Sequence, residues 1–211
     1  IFGINGSGMH MHQSLFDAEG NNQFYDPDDE YRLSRLARNF IAGQMEHARA
    51  LSAVVAPTVN SYKRLTPGYE APVYICWAQL NRSSLIRVPA PGGGAAATRI
   101  ELRCPDPSTN PYLAFATMLA AGLDGIKRDL TPPPPVNEDV YHFDQCDLDE
   151  RAIGTLPGTL SEAIDALEED EVIQEALGPD ITDVFIRAKR AEWGAYRIQV
   201  TDWEIERYLE M

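Results

Sequence analysis

The feature that most constrains this chain is the stretch from Arg82 to Arg103, RSSLIRVPAPGGGAAATRIELR. Its ends, Ser84 to Val88 and Thr98 to Cys104, are rich in strand-forming residues, and a run of glycine and alanine separates them. The pattern reads as strand, loop, strand. Four arginines (Arg82, Arg87, Arg99 and Arg103) and a single carboxylate, Glu101, fall within these 22 residues. The whole chain has 32 acids against 18 bases and a formal charge of −14, so this segment reverses the local sign. Residues two apart on a strand share a face, so Arg99, Glu101 and Arg103 point one way while Ile100 and Leu102 point into a core. Taken alone, a salt-bridged surface strand explains this alternation as readily as a binding site does.

The rest of the chain supplies the context. At 211 residues, with 44% hydrophobic content, it can bury a sizeable core. The acidic balance, without any basic block, argues against a nucleic-acid partner and suits a salt-adapted source. Cys76, Cys104 and Cys146 are widely spaced and lack a CxxC, which favours a reducing, cytoplasmic setting over a disulfide framework. No apolar run approaches the ~18 residues of a membrane span. The opening IFGINGSG has neither an initiator Met nor a basic leader, and reads as the continuation of an upstream part.

Residues 1–25 alternate loosely around an Asp17–Asn22 turn and read as a hairpin. Leu36, Phe40, Ile41, Met45 and Ala48 fall at helical spacing in an amphipathic helix with Ser34 as its cap and Pro57 beyond its end. A polar loop, TVNSYKRLTPG, leads to the strand run Val73 to Trp77. Asn110, with Pro111 at the first helical position, opens a helix to about Arg128 that is apolar almost all round and therefore expected to be buried. Pro132 to Pro135 is a stiff extended connector. Helices from Thr159 to about Glu169, Pro179 to Trp193 and Thr201 to Leu209 follow. The expected fold is α+β: an antiparallel sheet flanked by helices over residues 1–132, with a helical C-terminal lobe over 133–211.

Two further segments could carry chemistry. In Asn5-Gly-Ser-Gly-Met-His10-Met-His12-Gln-Ser14, the glycines let backbone approach an anion and two histidines share a strand face. A bare HxH is weak evidence for a metal, and neither a P-loop nor GxGxxG is present. Lys63-Arg64-Leu-Thr-Pro-Gly-Tyr-Glu70 sets two cations before a Pro-Gly turn and an acid after it, as a loop over an anionic site would, and as an ordinary surface turn would. Several arginines together suit bidentate holding of phosphate or carboxylate oxygens, and an interspersed Glu suits a hard divalent ion.

Taken in order, NGSGMHMHQS, KRLTPGYEAP, NRSSLIRVP and TRIELRCPDPSTNPYLAFA resemble the successive active-site segments of type I glutamine synthetase, and the likeness continues through EWGAYRIQVTDWEIERYLEM. The resemblance covers essentially the whole chain and corresponds to the C-terminal half of the catalytic domain. A β-grasp domain and the first half of the catalytic domain, with three further carboxylate metal ligands, would lie upstream. The resemblance implies ATP-dependent ligation of ammonia to glutamate through γ-glutamyl phosphate, with Mg²⁺ or Mn²⁺, in a cytoplasmic double-ring dodecamer. By the same resemblance, His10 and Glu101 would ligate the metal, and His12, Ser14, Arg82, Arg87 and Arg99 would meet ATP. Asn5, Gly6, Arg64, Glu70, Arg82 and Arg103 would hold glutamate, and Glu70 and Arg82 would act in catalysis. Replacing Glu101 by alanine would then abolish activity and leave the fold intact.

Two departures stand out. Some members of that family carry a Lys three positions before the equivalent of Arg99, where this chain has Ala96. Tyr141 lies near a tyrosine that one subgroup adenylylates, but DVYHFD does not match that site, and Tyr141 reads as a structural aromatic. Two rival readings share the fold: a γ-glutamyl ligase acting on a larger amine, and a non-catalytic regulatory member.

Overall fold

The computed structural model describes residues 6–68, 71–90 and 94–209. Strand β1, Met11–Gln13, is followed by a loop in which the Asp17 carboxylate accepts hydrogen bonds from the backbone N–H groups of Glu19 and Asn21. The expected return strand is reduced to a single bridge between Phe16 and Asn22, and β1 finds its partner elsewhere in sequence. Helix α1, Arg35–Glu46, starts where its cap predicts, with the Ser34 hydroxyl accepting from the Ala37 N–H. The helical stretch ends before Pro57, but in two pieces. The first piece stops at His47, a non-helical residue (φ −91°, ψ 7°), and α2, Ala48–Val55, begins directly after it, followed by the short α3, Ser61–Arg64.

The strand run after the polar loop becomes β2, Tyr74–Ala78, and the two ends of the arginine segment become β3, Ser84–Arg87, and β4, Ile100–Leu102. Helix α4, Pro111–Lys127, has Asn110 as its cap and Pro111 at N1. Then come α5, Gln145–Glu150, and β5, Gly154–Thr155. Four helices close the chain: α6, Leu160–Glu169; α7, Glu171–Leu177; α8, Pro179–Tyr196; and α9, Asp202–Tyr208. The capping hydroxyls of Thr159 and Thr201 start α6 and α9 as the sequence indicates.

The sheet has the order β1-β4-β3-β2-β5 and is mixed α+β in class. Three of its pairings are antiparallel, but β2 and β3 run parallel. So short a link ordinarily dictates a hairpin. Here residues 79–83 travel back along the strand instead, and the Asn81 amide fixes them by donating to the Val136 carbonyl at 3.1 Å. The core includes fully buried Trp77, Phe24, Phe40, Leu85, Ile86, Ile100 and Leu102, and extends through Val140, Leu160, Ile164 and Ile173 of the later helices.

The break at His47 has a tertiary cause. Its buried ring faces Asp170 of the α6–α7 junction through Nδ1 (2.7 Å) and Asp124 of α4 through Nε2 (3.0 Å). Burial opposes a charged ring, but the two carboxylates outweigh it and raise the pKa above the ordinary 6.5. A raised pKa makes the ion bridge fully stabilising below about pH 6.5, with that contribution lost as pH rises through the folded value. His47→Asn should therefore cost about 3 kcal/mol near pH 6 and distinctly less near pH 9. Thermal unfolding of both proteins across this range checks it; a pH-independent difference would contradict it.

Candidate active site

The sheet register assembles the site. Glu101, in the middle of β4, is the Cα partner of His12 on β1 and of Arg87 on β3, so three chemically distinct side chains form one row across three strands. Directly paired residues point to the same face. The neighbouring rows, Met11 with Leu102 and Ile86 with Leu102, are apolar and buried, which fixes the polar row on the opposite face.

Glu101 is only 3% exposed because cations surround it. Its Oε1 lies 2.9 Å from His10 Nδ1, and its Oε2 accepts from Arg87 Nε at 2.7 Å and pairs with Arg87 Nη2 at 2.6 Å. Arg103 Nε stands 3.4 Å from Oε1, off the hydrogen-bonding direction, and is a buried nitrogen with no hydrogen-bond partner among the described residues. Arg103 Nη1 donates to the Arg82 carbonyl. Burial alone would raise the Glu101 pKa, but His10 and Arg87 outweigh it and hold the carboxyl down at about 2. Glu101 is thus ionised throughout the physiological range. The same burial means that removing it costs stability as well as chemistry, so the fold would not be indifferent to its replacement.

Around this row lies a cavity of about 660 Å³ lined by His10, Asn81, Arg82, Ser83, Arg87, Glu101, Arg103, Asn137, Asp139 and Tyr141. Five residues singled out from sequence therefore converge on one space: His10, Arg82, Arg87, Glu101 and Arg103. Arg82 is exposed, and among the described residues its side chain makes no ion pair. His12 and Arg99 form a second pair beside the cavity, with Arg99 Nε donating to His12 Nδ1 at 3.2 Å. Burial, and then the neighbouring guanidinium groups of Arg99 and Arg87, lower the His12 pKa against the pull of Glu101, so the ring is neutral and can accept that bond.

Arg64 sits differently. Its Nη1 donates to the carbonyls of Cys104 (2.7 Å) and Pro105 (3.2 Å), and its Nη2 to that of Arg103 (3.0 Å). Burial lowers its pKa. Gly6 and Gly8 pass directly over this side chain; a Cβ on Gly8 would stand 2.8 Å from Arg64 Nη2 and 3.0 Å from His10 Nε2. The glycines of the opening motif are thus needed for the close approach of backbone to Arg64. Ser14 follows β1 and does not line the cavity. Asn5 and Glu70 lie outside the described residues.

Sequence reasoning missed the far wall. Asn137, Asp139 and Tyr141 come from the segment after the proline run, which carries no recognisable motif. Trp77 holds that run in place: its Nε1 donates to the Pro133 carbonyl (2.7 Å), and its own carbonyl accepts from the Val136 N–H (2.9 Å). The Tyr141 hydroxyl donates to the Ala71 carbonyl at 2.8 Å, and its ring lies 6.4 Å from that of Tyr74. An Asp capping a short turn (Asp139 accepting from the Tyr141 N–H) directly after a stiff connector was the available signal.

A buried carboxylate ringed by arginines beside an imidazole suits anionic oxygens bridged by a hard cation. Residues 1–208 match the family described as glutamine synthetase, catalytic domain. The chain belongs to the glutamine synthetase catalytic-domain family. It is 56% identical over 207 residues to glutamine synthetase of Halobacterium salinarum, covering 98% of this chain and 45% of that protein. It is likewise 56% identical over 209 residues to glutamine synthetase of Thermus thermophilus, covering 99% and 46%. Among solved structures it resembles a GmaS/ADP complex, with a TM-score of 0.86 at 40% identity over 98% of this chain and 46% of that one. It also resembles apo GmaS without ligand, with a TM-score of 0.85 at 39% identity over 100% and 47%. The chain thus spans just under half the length of the glutamine synthetases it matches.

Among the described residues, no group of three or more His, Cys, Asp or Glu side chains is arranged to hold a metal ion. His10 and Glu101 are chemically suitable donors, an imidazole nitrogen and a permanently ionised carboxylate, but they supply only part of a coordination shell. Also among the described residues, no helix is long and apolar enough to cross a membrane.

Proposed function

We propose that this chain contributes one wall of the active site of an ATP-dependent ligase that joins ammonia to the side-chain carboxylate of glutamate. The observation that carries this reading is the cross-strand row His12, Glu101 and Arg87, flanked by His10 and Arg103, in a member of the glutamine synthetase family. In this reading the γ-phosphoryl group of ATP passes to the glutamate carboxylate, and ammonia then displaces phosphate from the γ-glutamyl phosphate.

Phosphoryl transfer depends on positioning and charge neutralisation more than on covalent help. Arg87 and Arg82 would steady the transferring group and the nucleotide, and Arg99, His12 and Ser14 would meet ATP. Arg103, Arg64, Gly6 and Asn5 would orient glutamate. Arg103 acts through its guanidinium, while Arg64, committed to three carbonyls, acts by holding the backbone at Arg103 to Pro105. Glu70 would hold glutamate and take a proton from ammonium, which is no nucleophile until deprotonated. His10 and Glu101 would hold part of a Mg²⁺ or Mn²⁺ ion, which when bound neutralises charge on the phosphate oxygens. The protein would be cytoplasmic and assemble with further copies of itself, as the family resemblance implies.

The test is amine-dependent phosphate release from ATP and glutamate by the intact protein, with ammonium, methylamine and a polyamine compared. The proposal expects ammonium to give at least ~100-fold the kcat/KM of either rival. Preference for a larger amine would replace the ammonia reading with another γ-glutamyl ligase, and no turnover with any amine would remove the enzymatic reading.

Arg99→Ala gives a narrower test of the nucleotide roles. It removes the donor to His12 and should raise the KM for ATP by about 10-fold, with the KM for glutamate little changed. An unchanged KM for ATP would take Arg99 out of the nucleotide site.

A further inference from the structure

Arg82 lines the cavity, exposed and without an ion pair among the described residues. A long side chain free at its tip is placed only as well as the backbone that carries it. That backbone is the link between β2 and β3, residues 79–83, and such links are ordinarily mobile. This one is clamped, and a single side chain does most of the clamping.

The Asn81 carboxamide uses both of its donors and accepts two bonds. Its Nδ2 donates to the Val136 carbonyl (3.1 Å) and to the Glu138 carbonyl, both on the far wall of the cavity. Its Oδ1 accepts from the Ser83 N–H (2.8 Å) and the Ser83 hydroxyl (2.6 Å), so the contact spans Arg82. The Ser83 hydroxyl oxygen in turn accepts from the Val140 N–H (3.2 Å), and Ser83 is buried. The carbonyl of Arg82 itself accepts from Arg103 Nη1. An asparagine that only closed a turn would need its Oδ1 alone. Here both donors reach carbonyls 55 and 57 residues further along the chain, and tie the turn to the cavity wall.

We propose that Asn81 is a positioning residue for phosphoryl transfer. By clasping Ser83 on one side and the 136–140 wall on the other, it sets where Arg82 stands and the direction from which its guanidinium reaches the transferring group. Charge stabilisation in a transition state depends on donors held within about 0.5 Å of the productive geometry. The far wall thereby acts on the reaction through Arg82, without touching substrate at Asn81. This role rests on the phosphoryl-transfer reading of the cavity, and it adds to that reading a residue the motif comparison did not single out.

Asn81→Asp keeps the shape and the acceptor but sets an oxygen against two carbonyls. In the intact protein it should lower kcat at least ~30-fold while changing the KM for ATP less than about 3-fold, because Arg87 and Arg99 are untouched. Ser83→Ala is a milder change that removes one link of the clamp, and should lower kcat about 3-fold. In an Arg82→Ala background neither substitution should cost more than about 2-fold further, since the side chain they place is gone. A second readout needs no turnover: affinity for magnesium, ADP and aluminium fluoride together, a mimic of a phosphoryl group in transfer. It should fall in step with kcat and show the same dependence on Arg82, with affinity for ADP alone unchanged. Losses that add fully to that of Arg82→Ala would make Asn81 structural only and overturn the proposal. So would unchanged kcat in Asn81→Asp, or a parent that does not bind the mimic. Should the parent bind the mimic but turn over no amine, the ammonia reading falls and the cycle of affinities alone decides the role of Asn81.

Discussion

Replacing Glu101 by glutamine is expected to lower turnover by at least ~100-fold and, separately, to cost about 3 kcal/mol of stability. The two effects have one origin. Glu101 is the anion on which His10, Arg87 and Arg103 converge, and Arg103 is itself only 5% exposed. A neutral amide of the same shape leaves that arginine buried without its counter-charge and removes the carboxylate from the cavity wall. Steady-state kinetics below the variant's unfolding temperature, paired with denaturant unfolding, separates the contributions. Near-normal turnover in a destabilised protein would make Glu101 structural only. Lost turnover without loss of stability would mean that the buried cations are compensated by some other group.

The largest purely structural effect is expected at the crossing of α1 and α4. A Cβ on Gly125 would lie 2.1 Å from the Asn39 carbonyl oxygen, and one on Gly43 would lie 2.1 Å from the Ala121 carbonyl oxygen. In both cases the obstacle is backbone, which cannot swing aside as a side chain can. Gly122 is equally close, at 2.2 Å, to the ring of Phe40. The two helices therefore meet glycine to backbone. Gly125→Val should cost at least ~4 kcal/mol, since the helices would have to separate and open the core between them. Chemical denaturation would measure it, with Gly194→Ala as a control, because a Cβ there meets nothing. A loss under about 1 kcal/mol would show that the crossing is looser than described.

Much of this architecture was legible because local rules and tertiary structure agree. Ser34, Asn110, Thr159 and Thr201 each cap the helix that follows them. The alternation in β4 puts Glu101 with Arg103, as its period requires. What was not legible has causes remote in sequence. His47 is neither glycine nor proline, and the helix is interrupted where carboxylates 77 and 123 residues away engage its ring. The parallel pairing of β2 and β3 depends on the Asn81 amide reaching Val136 across 55 residues. In the site, the arginines were visible as a reversal of charge, whereas the wall of Asn137, Asp139 and Tyr141 is brought in by the Trp77 bond to the proline run. The outward face of α4 was expected to be buried, and within this chain nothing covers it among the described residues.

Transfer of phosphate to a carboxylate in the arginine-ringed cavity, and its displacement by ammonia, can be followed with glutamate labelled with ¹⁸O in its side-chain carboxylate. If γ-glutamyl phosphate is formed, one labelled oxygen leaves with each phosphate as glutamine appears. In the intact protein the released phosphate should carry one ¹⁸O per glutamine formed. Glutamine formed while the released phosphate carries only unlabelled oxygen, with the displaced ¹⁸O appearing in water, would contradict it.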